Sequence, residues 1–275
     1  MILIADSGST KTSWTYIDNG EIGKCIETAG INPVRDNENV IKQTVSILEC
    51  LPKAEVEQIF FYGAGCIPPY STTVKRILQD AFPNSRASVE SDMLGAAIAL
   101  CGHNEGIACI LGTGANSCLF DGKRIIRQTP ALGFILGDEG SGASLGKRLI
   151  GDILKKQLPE EICKAFEDEM GYTQTQIIDR VYRQPQANLF LSSLVPFLDK
   201  HQEHPAVDDL ITKEFRRFIR RNIRNYNRPD LPVNFVGGIT NSFYSQLKKA
   251  VTEEGMIMGK TIQKPIIGMA EYHNK

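Results

Sequence analysis

The sequence predicts an α/β fold in which one unit, a mixed sheet with helices, is used twice. Residues 1–29 read as strands joined by tight turns, and the same order returns at 106–125. Setting Ile4-Ala5-Asp6-Ser7-Gly8-Ser9-Thr10 over Ile110-Leu111-Gly112-Thr113-Gly114-Ala115-Asn116 aligns a strand, a small-residue turn and the start of a second strand in both copies. Gly8 and Gly114 stand 114 − 8 = 106 residues apart, and each copy is followed by segments of helical period. An internal repeat of this kind decides the architecture before any single motif does.

The first strand, Met1-Ile-Leu-Ile-Ala5, reaches an acid at Asp6 and then a cluster of Gly, Ser and Thr that encloses Lys11. A phosphate-cradling P-loop needs G-x-x-x-x-G-K-[ST] ahead of a helix. No glycine stands five residues before Gly8, and Lys11 does not follow a glycine. What comes next, Ser13-Trp14-Thr15-Tyr16-Ile17, is β-branched and aromatic, and it ends at Asp18-Asn19-Gly20, a strong hairpin signal. Residues 21–26 alternate again, so the cluster is the first turn of a three-stranded meander.

Further along, Val40, Ile41, Val45, Ile47 and Leu48 give 37–51 a helical period. Residues 57–62 form a strand that stops at Gly63-Ala64-Gly65. Pro68-Pro69 open a helix through Val74, Ile77, Leu78 and Ala81. A short strand at 87–90 follows, and Ser91-Asp92 can cap a helix over 93–100. After the second meander, whose turn Asp121-Gly122 matches Asn19-Gly20, the spacing predicts helices over 143–156, 160–170, 174–182, 190–200 and 207–226. The strand 232–236 ends at Gly237-Gly238, a helix follows over 241–251, and the segment 265–273 is expected to cross back onto the first half.

Length allows two domains, expected at 1–103 and 104–275. With 42% apolar and 23% charged residues and a net charge of −1, no charge excess points to nucleic acid or an anionic membrane as partner. The opening apolar run is too short for a signal peptide or a spanning helix, so the expected compartment is the cytoplasm. Seven cysteines, odd in number, never in C-x-x-C and mostly within apolar runs, read as small buried thiols in a reducing environment.

Four motifs stand in order from Asp6 to Gly238: Ala5-Asp-Ser-Gly-Ser-Thr-Lys-Thr-Ser13, Leu111-Gly-Thr-Gly-Ala-Asn-Ser117, Gly137-Asp-Glu-Gly-Ser141 and Val236-Gly-Gly238. Each alone is weak. The ordered set resembles the actin, hexokinase and heat-shock ATPase superfamily, and within it the N-acetylglucosamine kinase-like branch of the BadF/BadG ATPase family. The resemblance implies two ribonuclease H-like (actin-like ATPase) domains facing across an ATP cleft. It also implies ATP and Mg²⁺ as cofactors and transfer of a phosphoryl group to an amino sugar.

On this resemblance Gly8, Ser9, Thr10 and Lys11 contact the β- and γ-phosphates, and Thr113 and Gly114 hold them from the other side. Small-residue turns suit this work because their amides meet an anion with no side chain in the way. Asp6 positions Mg²⁺, through water. Gly237, Gly238 and Asn241 border the adenosine. Asp92 is the base for the sugar hydroxyl and touches the sugar, as do Asn32, Ala115, Asn116 and Asp138. Asp138 is the second carboxylate for sugar or metal, with Glu139 beside it. Plainer readings exist: Lys11 as a solvated turn lysine, Asn32 as a turn former before Pro33, and Asp92 as a helix cap.

One departure concerns the sugar. Where the family's acetylglucosamine kinases carry tryptophan in a Gly-Trp-Gly context, this chain reads Ala131-Leu132-Gly133-Phe134. That leaves acetylmuramic acid and glucosamine open beside acetylglucosamine. Two other classes share the scaffold. Activator ATPases hold an iron–sulfur cluster through exposed cysteines after the central phosphate motif, where this chain has only Cys118 and Cys163. Non-catalytic sugar sensors would be favoured by loss of Asp6 or Asp92, and both are present. A homodimer is common among such relatives.

Overall fold

The computed structural model describes residues 1–8 and 10–274; Ser9, expected at the first phosphate turn, lies outside the described residues. The chain divides into two compact units. One is Met1–Ala108 with Phe120–Ile126 and the stretch from Lys264 onward; the other is Cys109–Leu119 with Arg127–Gln263.

The first sheet holds β1 (Ile2–Ser7), β2 (Lys11–Asp18), β3 (Glu21–Ile22), β4 (Ile26–Ala29), β5 (Gln58–Gly63) and β6 (Arg86–Ser91). Its order is β3-β2-β1-β5-β6, with β4 also paired to β2. β2 runs antiparallel to β1, while β5 and β6 run parallel to it, in a register that sets Ser7 beside Gly63 and Gly63 beside Ser91. Three parallel strands therefore end side by side. The strand expected over 21–26 is broken in two, because Gly23 lies under the Tyr16 ring, where a Cβ would collide, and its N–H bonds to the Tyr16 carbonyl at 2.8 Å.

α1 (Glu38–Ser46), capped by the Asn37 side chain, and α2 (Tyr70–Ala81) cover one face of this sheet. They close a core that includes Leu3, Ala5, Trp14, Phe61, Val74 and Leu78. Each large side chain so buried contributes roughly 1.5–3 kcal/mol. α3 (Asp92–Cys101) follows β6 directly.

The second sheet has the order β11-β10-β7-β8-β9, from β7 (Glu105–Leu111), β8 (Ala115–Asp121), β9 (Ile125–Thr129), β10 (Pro232–Val236) and β11 (Ile257–Ile262). Between β9 and β10 come α4 (Gly133–Leu136), α5 (Gly142–Leu154), α6 (Glu160–Met170), α7 (Gln174–Tyr182), α8 (Ala187–Ser192), α9 (Val195–Lys200) and α10 (Pro205–Phe218). α10 runs on into a π-helical turn at Ile219–Ile223. After β10 come α11 (Gly238–Ser242), α12 (Tyr244–Glu253) and α13 (Ile266–His273).

α13 packs on α3, β1 and β2 of the first unit. Small residues let the two helices approach: a Cβ on Gly95 would lie 2.5 Å from Met269, and one on Gly268 would lie 2.6 Å from the Ala99 carbonyl. The helix expected over 190–200 is two helices, since Pro196 has no N–H to continue a ladder and instead opens α9. Cys66, Cys101, Cys109 and Cys118 are buried, whereas Cys25 and Cys50 are exposed. Among the described residues no helix is long and apolar enough to cross a membrane.

Candidate active site

In the first unit the candidate residues gather where the parallel strands end, the usual place for a ligand on such a sheet. Asp6 is the penultimate residue of β1, with Ser13 and Tyr62 as in-register neighbours, and Asp92 opens α3 immediately after β6. The capping of α3 falls to Ser91, whose Oγ accepts from the Leu94 N–H at 3.3 Å. Asp92 is thus spared the cap; its Oδ1 accepts from the Met93 N–H at 2.8 Å, and its own N–H also donates to the carboxylate. Burial raises the Asp92 carboxyl above its ordinary value, opposed by those two amides. Asp6 is pushed up to about 7, by burial first and then by the charge of Asp92, with Lys11 pulling the other way. Burial and Asp92 push the neighbouring Cys66 thiol up to about 12, so it stays neutral.

The first turn is tied down by a small polar network. The Ile31 N–H donates to Ser7 Oγ at 3.0 Å, Ser7 Oγ lies 2.7 Å from Thr12 Oγ1, and Thr12 Oγ1 donates to the Ala29 carbonyl at 3.1 Å. The Gly8 N–H bonds to the Lys11 carbonyl at 2.9 Å, and the Gly30 N–H to the Thr10 carbonyl at 3.1 Å. This network carries Asn32 to the side of the turn. Asn32 Oδ1 accepts from the Val34 N–H at 3.1 Å, so the plain turn role is present; because a backbone N–H can only donate, it also fixes the amide with Nδ2 on the other side. Lys11 pairs with a carboxylate of its own sheet. Its ammonium is 3.0 Å from Glu27 Oε1, which Lys264 approaches at 3.2 Å, so a phosphate would take Lys11 from an exposed, solvent-screened pair.

In the second unit the turn 112–114 is gripped from behind by the start of α5. The Gly142 N–H donates to the Gly112 carbonyl at 2.8 Å and the Ala143 N–H to the Thr113 carbonyl at 3.1 Å. In a trans peptide the C=O and the following N–H point opposite ways, so the Thr113 and Gly114 N–H groups face away from α5. Asp138 leans against this turn. It has φ 55°, it accepts from the Ala115 N–H, and a Cβ on Gly114 would lie 3.0 Å from its Oδ2. Burial is the main cause that raises its carboxyl above the ordinary value. Asn116 Oδ1 accepts from the Ser117 N–H at 2.9 Å and from Gln128 Nε2 at 3.0 Å, which leaves Nδ2 as the group it can offer.

Glu139 is not an open carboxylate. It is buried, 2.5 Å from Arg221 Nε and 3.3 Å from Asn222 Nδ2. Gly237 has φ 122°, and any Cβ there would collide with the Leu111 carbonyl, so it sets the end of β10 against the end of β7, next to the turn. Gly238 and Asn241 are exposed, with open space around Gly238. Ala115 is buried.

Ser7, Thr12, Gln128 and Arg221 were not singled out from the sequence. Ser7 carried one signal, a small polar residue at the end of an apolar strand. The other three became visible only through partners distant in the chain.

No family model matches the chain, and neither does any curated protein. Solved structures do. A candidate N-acetylglucosamine kinase from Porphyromonas gingivalis is 44% identical, with 100% of this chain and 99% of that chain covered and a TM-score of 0.94. A candidate N-acetylglucosamine kinase from Chromobacterium violaceum is 19% identical over 98% of both chains, with a TM-score of 0.77. The ROK hexokinase of Thermus thermophilus is 14% identical over 98% of this chain and 97% of its own, with a TM-score of 0.54. The latter two show the shared fold alone, two mixed sheets with helices in the manner of actin-like ATPases. The full-length similarity at 44% identity goes further: this chain belongs to the N-acetylglucosamine kinase-like branch of the BadF/BadG ATPase family.

Proposed function

We propose that the chain is an ATP-dependent kinase that transfers the γ-phosphoryl group to a hydroxyl of an amino sugar, N-acetylglucosamine or a close relative. The observation that carries the reading is Asp92, a carboxylate raised by burial, spared the helix cap, and set at the end of parallel strands beside Asp6. A base works best when its pKa lies near the working pH. With Oδ1 held by the Met93 N–H, Oδ2 is the oxygen that takes the hydroxyl proton. The new P–O bond forms to that sugar oxygen as the bond to the ADP oxygen breaks.

Asn32 and Asn116 present Nδ2 donors, suited to acceptor oxygens on the sugar, while Asp138 accepts from a hydroxyl. The turn Gly8 to Thr10, through the Thr10 amide and Ser9, and the amides of Thr113 and Gly114 are the proposed phosphate contacts, with Gly8 keeping side chains out of the way and Lys11 joining once Glu27 releases it. Gly237, Gly238 and Asn241 are the proposed border of the adenosine. Asp6 suits a divalent cation: a partly buried carboxylate raised by burial and by a second acid is relieved by positive charge. Mg²⁺ held there, through water, would gather charge on the phosphoryl oxygens.

The test is a coupled ADP-release assay with ATP·Mg²⁺ and a panel of hexoses and amino sugars, with Asp92→Asn alongside. Turnover on one amino sugar, lost in the variant, is expected. ATP hydrolysis that no sugar stimulates would overturn the reading. Cys118 is fully buried in β8, which leaves an activator-type cluster without the exposed pair it needs.

A further inference from the structure

Asp138 sits in a glycine-flanked loop held by few backbone bonds of its own: its N–H donates to the Ala131 carbonyl at 3.2 Å and its carbonyl accepts from the Ser141 N–H at 3.1 Å. Gly137 precedes it, Gly140 follows two residues later with φ 75°, and Asp138 itself is in the left-handed region. Flanking glycines make such a loop pliable, and side-chain pins add to its backbone bonds. The pins come from the far end of α10. A Cβ on Gly140 would lie 3.1 Å from the Phe218 Cβ and 3.4 Å from the Phe215 ring, so the loop is moulded onto that helix. Between them, the Glu139 carboxylate is 5% exposed and takes Arg221 on one oxygen and Asn222 on the other.

Neighbouring residues on an α-helix point about 100° apart and do not normally share a target. Arg221 and Asn222 share Glu139 from within the π-helical turn Ile219–Ile223, a deviation found often at functional sites. On its other side the same turn is anchored by Arg220, 2.8 Å from the buried Glu254. Only the Glu139 end of this pair is buried, and a carboxylate taken out of water is a poor choice for stability alone unless its partners hold it. What it supplies is fixed geometry.

We propose that Glu139, gripped by Arg221 and Asn222, is a positioning residue that fixes the Asp138 carboxylate against Gly114 and Ala115 and thereby sets affinity for the sugar. The inference rests on the reading of Asp138 as a sugar contact. Glu139 touches no substrate; it acts through its neighbour.

The experiment uses the full chain with Glu139→Gln, Arg221→Gln and Arg221→Lys. Calorimetry gives the Kd for N-acetylglucosamine and for ATP·Mg²⁺, and a melting curve gives Tm. Sugar Kd is expected to rise roughly 10- to 100-fold in Glu139→Gln and Arg221→Gln, as for a group misplaced by about an ångström. The ATP Kd should rise several-fold less than the sugar Kd, because the Gly114 turn is held independently by Gly142 and Ala143 while Asp138 is the proposed sugar contact. Arg221→Lys keeps the charge but lacks the planar fork, so it should recover part of the sugar affinity. Because Arg221 is half exposed, its two variants keep the test readable where Glu139→Gln fails to fold. Folded variants with wild-type sugar Kd, or equal weakening of both affinities in step with Tm, overturn the proposal. A wild-type chain that binds no amino sugar overturns the kinase reading itself, and this inference with it.

Discussion

Asp92 and Asp6, proposed as base and as metal-holding acid, sit in surroundings that let the two roles be tested apart. Replacing Asp92 by Asn keeps an acceptor for the Met93 N–H and removes the proposed base. Sugar-dependent ADP release should fall by roughly 10²- to 10⁴-fold with little change in Tm. Asp6 predicts a pH effect in the chain without nucleotide or metal. Its folded pKa of about 7 lies above the ordinary 3.8, so between these values the folded state keeps a proton that the unfolded state has lost. Stability therefore falls as pH rises from about 4 to 7, and Asp6→Asn should flatten that slope and be the more stable form at pH 8. Urea midpoints at pH 5 and pH 8 for both chains check this; parallel shifts would refute it. Gly237→Ala, which forces a Cβ into the Leu111 carbonyl at a φ of 122°, should cost roughly 2 kcal/mol or more in urea unfolding. The motif residues were legible because turns that meet anions need small residues, and such residues stand out against apolar strands. The grip of Arg221 on Glu139, 82 positions away in sequence, has no local signature.

At the scale of the element, the strands and helices that announced themselves were those with strong punctuation. Asn19-Gly20 and Asp121-Gly122 fixed both meanders, and Ser91 fixed the start of α3. The break between α8 and α9 was hidden because Leu191, Leu194, Val195 and Leu198 carry the apolar period straight across it, with Pro196 as the one contrary sign. β11 was missed for another reason. Its residues, Ile257-Met-Gly-Lys-Thr-Ile262, do not alternate, and its register against β10 shifts between Val233 and Phe235. Such a strand is defined by its partner. The close approach of α3 and α13 makes a further prediction. Gly268→Val would push α13 off the Ala99 carbonyl and loosen the helix that bears Asp92. A destabilisation of roughly 1–3 kcal/mol and a lower kcat should appear together. Unchanged kcat in a destabilised variant would separate the helix packing from catalysis.

For the whole molecule, the decisive fact is that the chain visits its first unit early, leaves it, and comes back. α13 supplies that return, with His273 stacked on Phe60 at 3.8 Å, its Nε2 2.8 Å from the Tyr62 hydroxyl, and Tyr272 stacked on His103 at 4.2 Å. A chain stopped after Gln263 should leave the first unit loose while the second keeps its core. Trp14, the one tryptophan and fully buried in the first unit, reports this directly: its emission should shift to the red in the shortened chain. The same return bears on how the protein is made. Domains tend to fold in the order of synthesis, yet here the unit begun first is completed only after residues 266–273 emerge, once the whole second unit has been made. Until then the small-residue face of α3 is uncovered, and the ribosome carries a nascent chain whose Asp92 is already in place in sequence but not yet in space.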